Sequence, residues 1–119
     1  MKNAKIVLGV SASIAAYKAV ELLRLLVKEG AEVRVVMSAN AAQFVTPLTF
    51  DAISAFPVYC SIFDAQNSME HIRVVESADL LLIAPATAGI IGKMANGMAD
   101  DALSNLCVSY NGAIMVAPA

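Results

Sequence analysis

The chain has 119 residues, enough for one domain with a core of its own and too few for two. Hydrophobic types make up 59% of it and charged types 15%, which excludes a disordered chain, and two cysteines, Cys60 and Cys107, are too few for a disulfide scaffold. The net charge of −2 with no basic tract excludes an electrostatic nucleic-acid binder.

A membrane span is excluded on length. The longest uncharged apolar stretch, Leu80–Gly92, lies between Asp79 and Lys93, contains Pro85 and has only 13 residues, against the roughly 18–20 that a spanning helix needs. The apolar segment after Met1–Ile6 is too short for a signal peptide. The expectation is a soluble, cytoplasmic chain with free thiols. Its surplus apolar surface would lie in a two-faced sheet, a subunit interface, or both.

Taken in order, Lys5–Val10 reads as a first strand, its nearly continuous apolar run suiting a strand covered on both faces. The turn Gly9-Val10-Ser11-Ala12-Ser13 leads into a helix over Ser13–Glu29. Ala16, Val20, Leu23 and Val27 recur at helical spacing there, opposite Lys18, Glu21, Arg24 and Lys28. Gly30 is placed to end this helix. Val33–Met37 is a second strand, followed by short helical stretches over Asn40–Phe44 and Pro47–Ser54, the latter opening on proline. Pro57–Cys60 reads as a shorter strand, 61–68 as loop, and Met69–Ser77 as a short helix capped by Asn67 or Ser68. Leu80–Ala84 is a strand. Thr87–Met94 and Asp100–Val108 are helices separated at Asn96-Gly97, and Ala113–Val116 is the last strand.

This alternation predicts an α/β fold, a doubly wound, mostly parallel sheet in one domain over residues 1–119. Ligands bind such sheets at the carboxyl ends of the strands. Here those ends are Gly9–Ser13, Met37–Asn40, Ala84–Ala88 and Ala117–Ala119, all rich in small or hydroxyl residues. The first turn carries neither a dinucleotide fingerprint nor a P-loop. Its amides, hydroxyls and helix N-terminus still suit one phosphate, and they equally suit a plain turn with Ser13 as helix cap. Ser38 has the same two readings. His71, the one histidine, stands near a helix start, where a neutral ring able to act as a base is favoured, yet a lone histidine also serves structure. Asp100 and Asp101 read as first-turn acids. No spacing suits a metal, and no nucleophile elbow is present.

Five segments, in order, resemble the homo-oligomeric flavin-containing cysteine decarboxylases, and among them the phosphopantothenoylcysteine decarboxylase domain of bacterial coenzyme A biosynthesis flavoproteins. They are Gly9-Val10-Ser11-Ala12-Ser13-Ile14-Ala15-Ala16-Tyr17-Lys18, Phe44-Val45-Thr46-Pro47-Leu48, Met69-Glu70-His71-Ile72, Ala78–Ala88 and Gly97-Met98-Ala99-Asp100-Asp101. The resemblance implies a Rossmann-like or flavodoxin-like fold, FMN as cofactor, and trimers or multiples of trimers, up to a dodecamer. It implies FMN-dependent decarboxylation of 4′-phosphopantothenoylcysteine to 4′-phosphopantetheine, in which the flavin takes up electrons from the cysteinyl thiol and returns them after the carboxylate has left. Carried over by position, Gly9, Ser11, Ser13, Ile14 and Ser38 would hold the phosphate and ribityl chain. Phe44, Pro85, Thr87, Ala88 and Gly89 would lie near the flavin, and His71 would be the active-site histidine. A flavin prenyltransferase of the same fold and an inactive or regulatory FMN-binding subunit are the alternatives.

The chain departs from the family pattern in four places. Ala12 stands where glycine is usual, which would be strained if that position needed positive φ. Gly89 stands where Asn or Asp is usual. The sequence stops at Ala117-Pro118-Ala119, where the family continues Pro-Ala-Met-Asn toward a flap carrying a reductive cysteine, and neither Cys60 nor Cys107 matches that cysteine. The expectation is an incomplete domain with impaired turnover.

Overall fold

A computed structural model describes residues 2–58, 77–99 and 102–118, and for Ala39 and Ala102 the backbone alone. Four parallel strands form one sheet in the order β2-β1-β3-β4: β1 (Lys5–Val10), β2 (Glu32–Met37), β3 (Leu80–Ala86) and β4 (Ile114–Pro118). Helix α1 (Ala16–Lys28) links β1 to β2. A 3₁₀ turn (Ala39–Gln43) and α2 (Pro47–Asp51) follow β2. Helices α3 (Ala88–Ala95) and α4 (Ala102–Ser109) lie between β3 and β4. The chain is thus α/β and doubly wound, with the strand order of flavodoxin-like sheets.

Side chains alternate across each strand, and here both faces are apolar. Ile6, Leu8 and Val10 of β1, with Val33, Val35, Met37, Leu82 and Ala84, pack against α1 and Phe50 of α2. Val7, Val36, Leu81, Ile83 and Ala86 pack on the other face against Ile90 of α3 and Leu103, Leu106 and Cys107 of α4. Two cores divided by one sheet explain why the strands read as unbroken apolar runs.

Several element boundaries differ from the sequence reading for local reasons. Helix α1 begins at Ala16, not Ser13. The Ser13 Oγ accepts from the Ala15 amide at 3.1 Å, and the N-cap residue is Ala15, with no side-chain cap bond. At the other end Gly30 takes φ +91° and closes the helix as expected, its amide meeting the Val27 carbonyl at 3.0 Å. Helix α2 starts on Pro47 but stops at Asp51, because Ser54 turns inward and its hydroxyl donates to the Val33 carbonyl at 2.8 Å. Arg34 lies over the Phe56 ring, 4.0 Å from its centroid, and fastens the same loop to β2. Pro57 and Val58 are not strand, since the Val58 amide is taken by the Asp51 carboxylate at 3.1 Å instead of a neighbouring strand. Strand β3 runs on to Ala86, past a register irregularity between Ile83 and Ala86 and a cis Ala84–Pro85 bond. Thr87 is the cap of α3, not its first residue. The rest of the Pro57–Cys60 strand, the loop over 61–68 and all of the Met69–Ser77 helix except Ser77 lie outside the described residues. Among those residues no helix is long and apolar enough to cross a membrane.

Candidate functional site

In a 2-1-3-4 sheet the connections from β1 and β3 leave toward opposite faces, so a crevice opens between the carboxyl ends of those two strands. The structure has a cleft of about 150 Å³ there, lined by Ser11 and Ala12 from the β1 turn, Ser38 and Asn40 beyond β2, and Thr87, Gly89, Ile90 and Lys93 of the α3 region. Its floor is the end of the sheet.

Hydrogen bonds across the strand ends build the two walls. The Ser11 hydroxyl donates to the Pro85 carbonyl, and the Ser11 amide donates to that carbonyl at 3.3 Å. The Thr87 amide in turn donates to Ser11 Oγ at 3.1 Å. Thr87 Oγ1 accepts from the Ile90 amide at 3.3 Å and caps α3. Gly89, Ile90 and Lys93, at i, i+1 and i+4, then share the cleft-facing side of that helix.

Ser38 is placed by the β1–β2 ladder, its amide donating to the Val10 carbonyl at 2.9 Å. It occupies the N-cap position of the 3₁₀ turn but makes no side-chain cap bond. Its Oγ is buried and, among the described residues, is the one buried side-chain oxygen or nitrogen with no hydrogen-bond partner. Leaving such a hydroxyl unpaired costs about 1–3 kcal/mol, and a ligand oxygen in the cleft removes that cost. Lys93 is the single charged residue among the described ones that line the cleft. The first amides of α1 are already occupied, that of Ala16 by the Ser13 carbonyl at 2.9 Å and that of Lys18 by the Ala15 carbonyl at 3.0 Å. An unpaired hydroxyl and an ammonium group in one cleft together favour an anionic oxygen group.

The residues expected at the site therefore have different fates. Ser11, Ser38, Thr87 and Gly89 line the cleft. Pro85 is buried and does not line the cleft, its carbonyl accepting from Ser11. Ser13 and Ala88 flank the cleft without lining it, Ser13 half-buried and Ala88 exposed. Ile14 and Phe44 do not line it and are exposed apolar side chains, 79% and 47% accessible. Gly9 does not face it. A Cβ there would collide with Leu103 Cδ1 and stand 2.8 Å from Ile83 Cδ1, so Gly9 is small to admit α4 against the sheet. Ala12 carries no strain, since among the described residues Asn3 alone has positive φ without being glycine. Gly89 has room for a side chain, its nearest neighbour being Thr87 Oγ1 at 3.7 Å from a built Cβ. His71, Cys60, Asp100 and Asp101 lie outside the described residues. The lining residues Ala12, Asn40, Ile90 and Lys93 were not among those expected at the site. Lys93 was legible from its spacing of four from Gly89 on a helix that starts at the sheet end. No group of His, Cys, Asp or Glu suited to a metal ion occurs among the described residues.

A family model described as Flavoprotein matches residues 1–119. The chain is 50% identical over 117 residues to the coenzyme A biosynthesis bifunctional protein CoaBC of Vibrio cholerae, a match covering 97% of this chain and 29% of that protein. The chain thus spans less than a third of the length of this relative. Among solved structures, MrsD from a Bacillus species superposes with TM-score 0.88 at 25% identity, covering 99% of this chain and 68% of that one. A PPC decarboxylase mutant complexed with pantothenoylaminoethenethiol superposes with TM-score 0.80 at 29% identity, covering 99% of this chain and 68% of that one.

Proposed function

The chain belongs to the flavoprotein family, and on that premise we propose that the cleft between β1 and β3 binds FMN by its phosphate end. The observation that carries this reading is the buried, unpartnered Ser38 Oγ in a cleft whose one charged described lining residue is a lysine. In flavodoxin-like sheets the β1/β3 switch point is also where FMN sits. A space of about 150 Å³ suits the phosphate and the start of the ribityl chain, not the whole cofactor. Ile14 and Phe44 are exposed and close in sequence to the lining residues Ala12 and Asn40, and in this reading they offer apolar surface for a flat ring.

The reaction we propose is decarboxylation of 4′-phosphopantothenoylcysteine to 4′-phosphopantetheine in coenzyme A synthesis, with residues 1–119 as one flavin-holding domain. It is supported by the match to CoaBC and by the superposed PPC decarboxylase. Bound FMN supplies a two-electron acceptor next to the substrate thiol. Ser38 donates a hydrogen bond to an anionic oxygen, and Lys93 supplies counter-charge. His71 is the proton-transfer residue in this reading. Exposed Ile14, Tyr17, Phe44 and Leu48 supply apolar surface for a homo-oligomer, a trimer or a multiple of trimers. We place the protein in the cytoplasm.

The test is titration of the purified full chain with FMN, followed by flavin absorbance and by fluorescence quenching. Saturable binding at one site per chain, weakened by Ser38→Ala, is the expected result. A chain that folds but takes up no FMN, or whose binding ignores Ser38→Ala, overturns the cleft assignment.

A further inference from the structure

We propose that Ser11 is a positioning residue: it ties the turn after β1 to the turn after β3 and gives no hydrogen bond to the cofactor. The proposal rests on the flavin reading above. A serine hydroxyl has one proton to donate and two lone pairs. At Ser11 the proton is committed to the Pro85 carbonyl, and one lone pair is taken by the Thr87 amide at 3.1 Å. The side chain is 2% exposed, so water does not compete for these bonds. What remains toward the cleft is a lone pair, which repels an anionic oxygen.

Ser11 and Ser38 both line the cleft, yet they offer it opposite chemistry. Ser38 has an unspent proton and no partner. Ser11 has spent its proton on the wall. The consequence of that spending runs along the chain. Ser11 fixes the Thr87 amide, Thr87 Oγ1 fixes the Ile90 amide at 3.3 Å, and the first turn of α3 sets the face that carries Gly89, Ile90 and Lys93. Ser11 thus acts on the ligand through the placement of α3, across 76 residues of chain.

The experiment is titration of the full chain with FMN, at a temperature where each apoprotein is folded. Ser11→Ala is expected to weaken FMN roughly tenfold in the wild-type background and by less than about twofold in a Thr87→Pro background, where the amide that Ser11 holds is already gone. An equal loss in the two backgrounds overturns the proposal, since it reports a contact with the ligand that does not pass through Thr87. Unchanged affinity in the wild-type background also overturns it, because a serine that serves only stability lowers the melting temperature without moving the affinity of folded protein. A wild-type chain that binds no FMN sinks the underlying reading first, and the proposal falls with it.

A second pair of variants decides the matter if Ser11→Ala does not fold. Thr87→Ala and Thr87→Pro both lose the cap hydroxyl, but only proline also loses the amide that Ser11 accepts. The Thr87 φ of −78° already suits proline. Thr87→Pro is expected to bind FMN about tenfold more weakly than Thr87→Ala, and equal binding by the two overturns the proposal.

Discussion

Gly9→Ala adds one methyl group to the middle of the sheet, and two opposing effects decide its outcome. Replacing a strand glycine by alanine lowers the entropy lost on folding, a gain of about 0.5–1 kcal/mol. Against this, the new Cβ overlaps Leu103 Cδ1 and stands 2.8 Å from Ile83 Cδ1. Both neighbours are 0% exposed, so neither can swing into solvent. Overpacking of this kind costs about 1–3 kcal/mol, so the variant is expected to be less stable by about 1 kcal/mol. In urea unfolding followed by circular dichroism, that moves the midpoint down by about 0.5–1 M with an unchanged slope. Leu103→Ala alone is expected to cost about 2–5 kcal/mol. In its background Gly9→Ala loses most of its penalty, giving a coupling of about 1–3 kcal/mol in a double-mutant cycle. The packing role assigned to Gly9 is refuted if Gly9→Ala matches the wild type, or if its penalty is the same with and without Leu103.

Three further substitutions test separate parts of the description. Ser38→Ala removes a hydroxyl with no partner, so the apoprotein is expected to keep or gain stability, by about 0–1 kcal/mol in thermal unfolding, while FMN affinity falls about tenfold. A drop in apoprotein stability would show that the hydroxyl is bonded after all. Ser54→Ala strands the Val33 carbonyl and the Phe56 amide, which Ser54 Oγ serves at 2.8 and 3.2 Å. Chemical denaturation is expected to show a loss of about 1–3 kcal/mol. Gly89→Ala places its Cβ in ordinary contact, 3.7 Å from Thr87 Oγ1. It is expected to stabilise α3 and the chain by about 0.4–1 kcal/mol, and a destabilised variant would mean that the start of α3 is more crowded than described.

What the sequence revealed and what it concealed divide along the range of the interactions. Strands β1 to β3 were legible because both sheet faces are covered, so that Ile6 and Val7, or Leu81 and Leu82, are apolar for two different cores; β4 was legible from its apolar run alone, since it is largely exposed. Gly30 was legible because a helix stop is a local event. The start of α1 was misread because Ser13 resembles a cap, whereas its hydroxyl serves an amide only two residues on and the helix opens later. The strand expected at Pro57 failed because Asp51 takes the Val58 amide. At the site, residue types pointed to turns that meet at one cleft, but not to the partners of each residue. Gly9 packs against Leu103, 94 positions away in the numbering. Ser11 is bonded to Pro85 and Thr87. No local pattern encodes such distant pairs.

If the flavin occupies the proposed cleft, the clasp between the two strand ends has a consequence for how the protein acquires it. Its partners, Ser11 and Pro85, are 74 residues apart, so no fragment holding only one of the two segments contains a binding site. The site comes into being when β1 and β3 pair, and a molecule lodged in it holds the whole sheet closed. A ligand present at 100 times its Kd adds about 2.7 kcal/mol to the stability of such a fold. The melting temperature of the chain then becomes an assay of occupancy, and an apoprotein in a cell starved of the ligand is the form most exposed to unfolding and proteolysis.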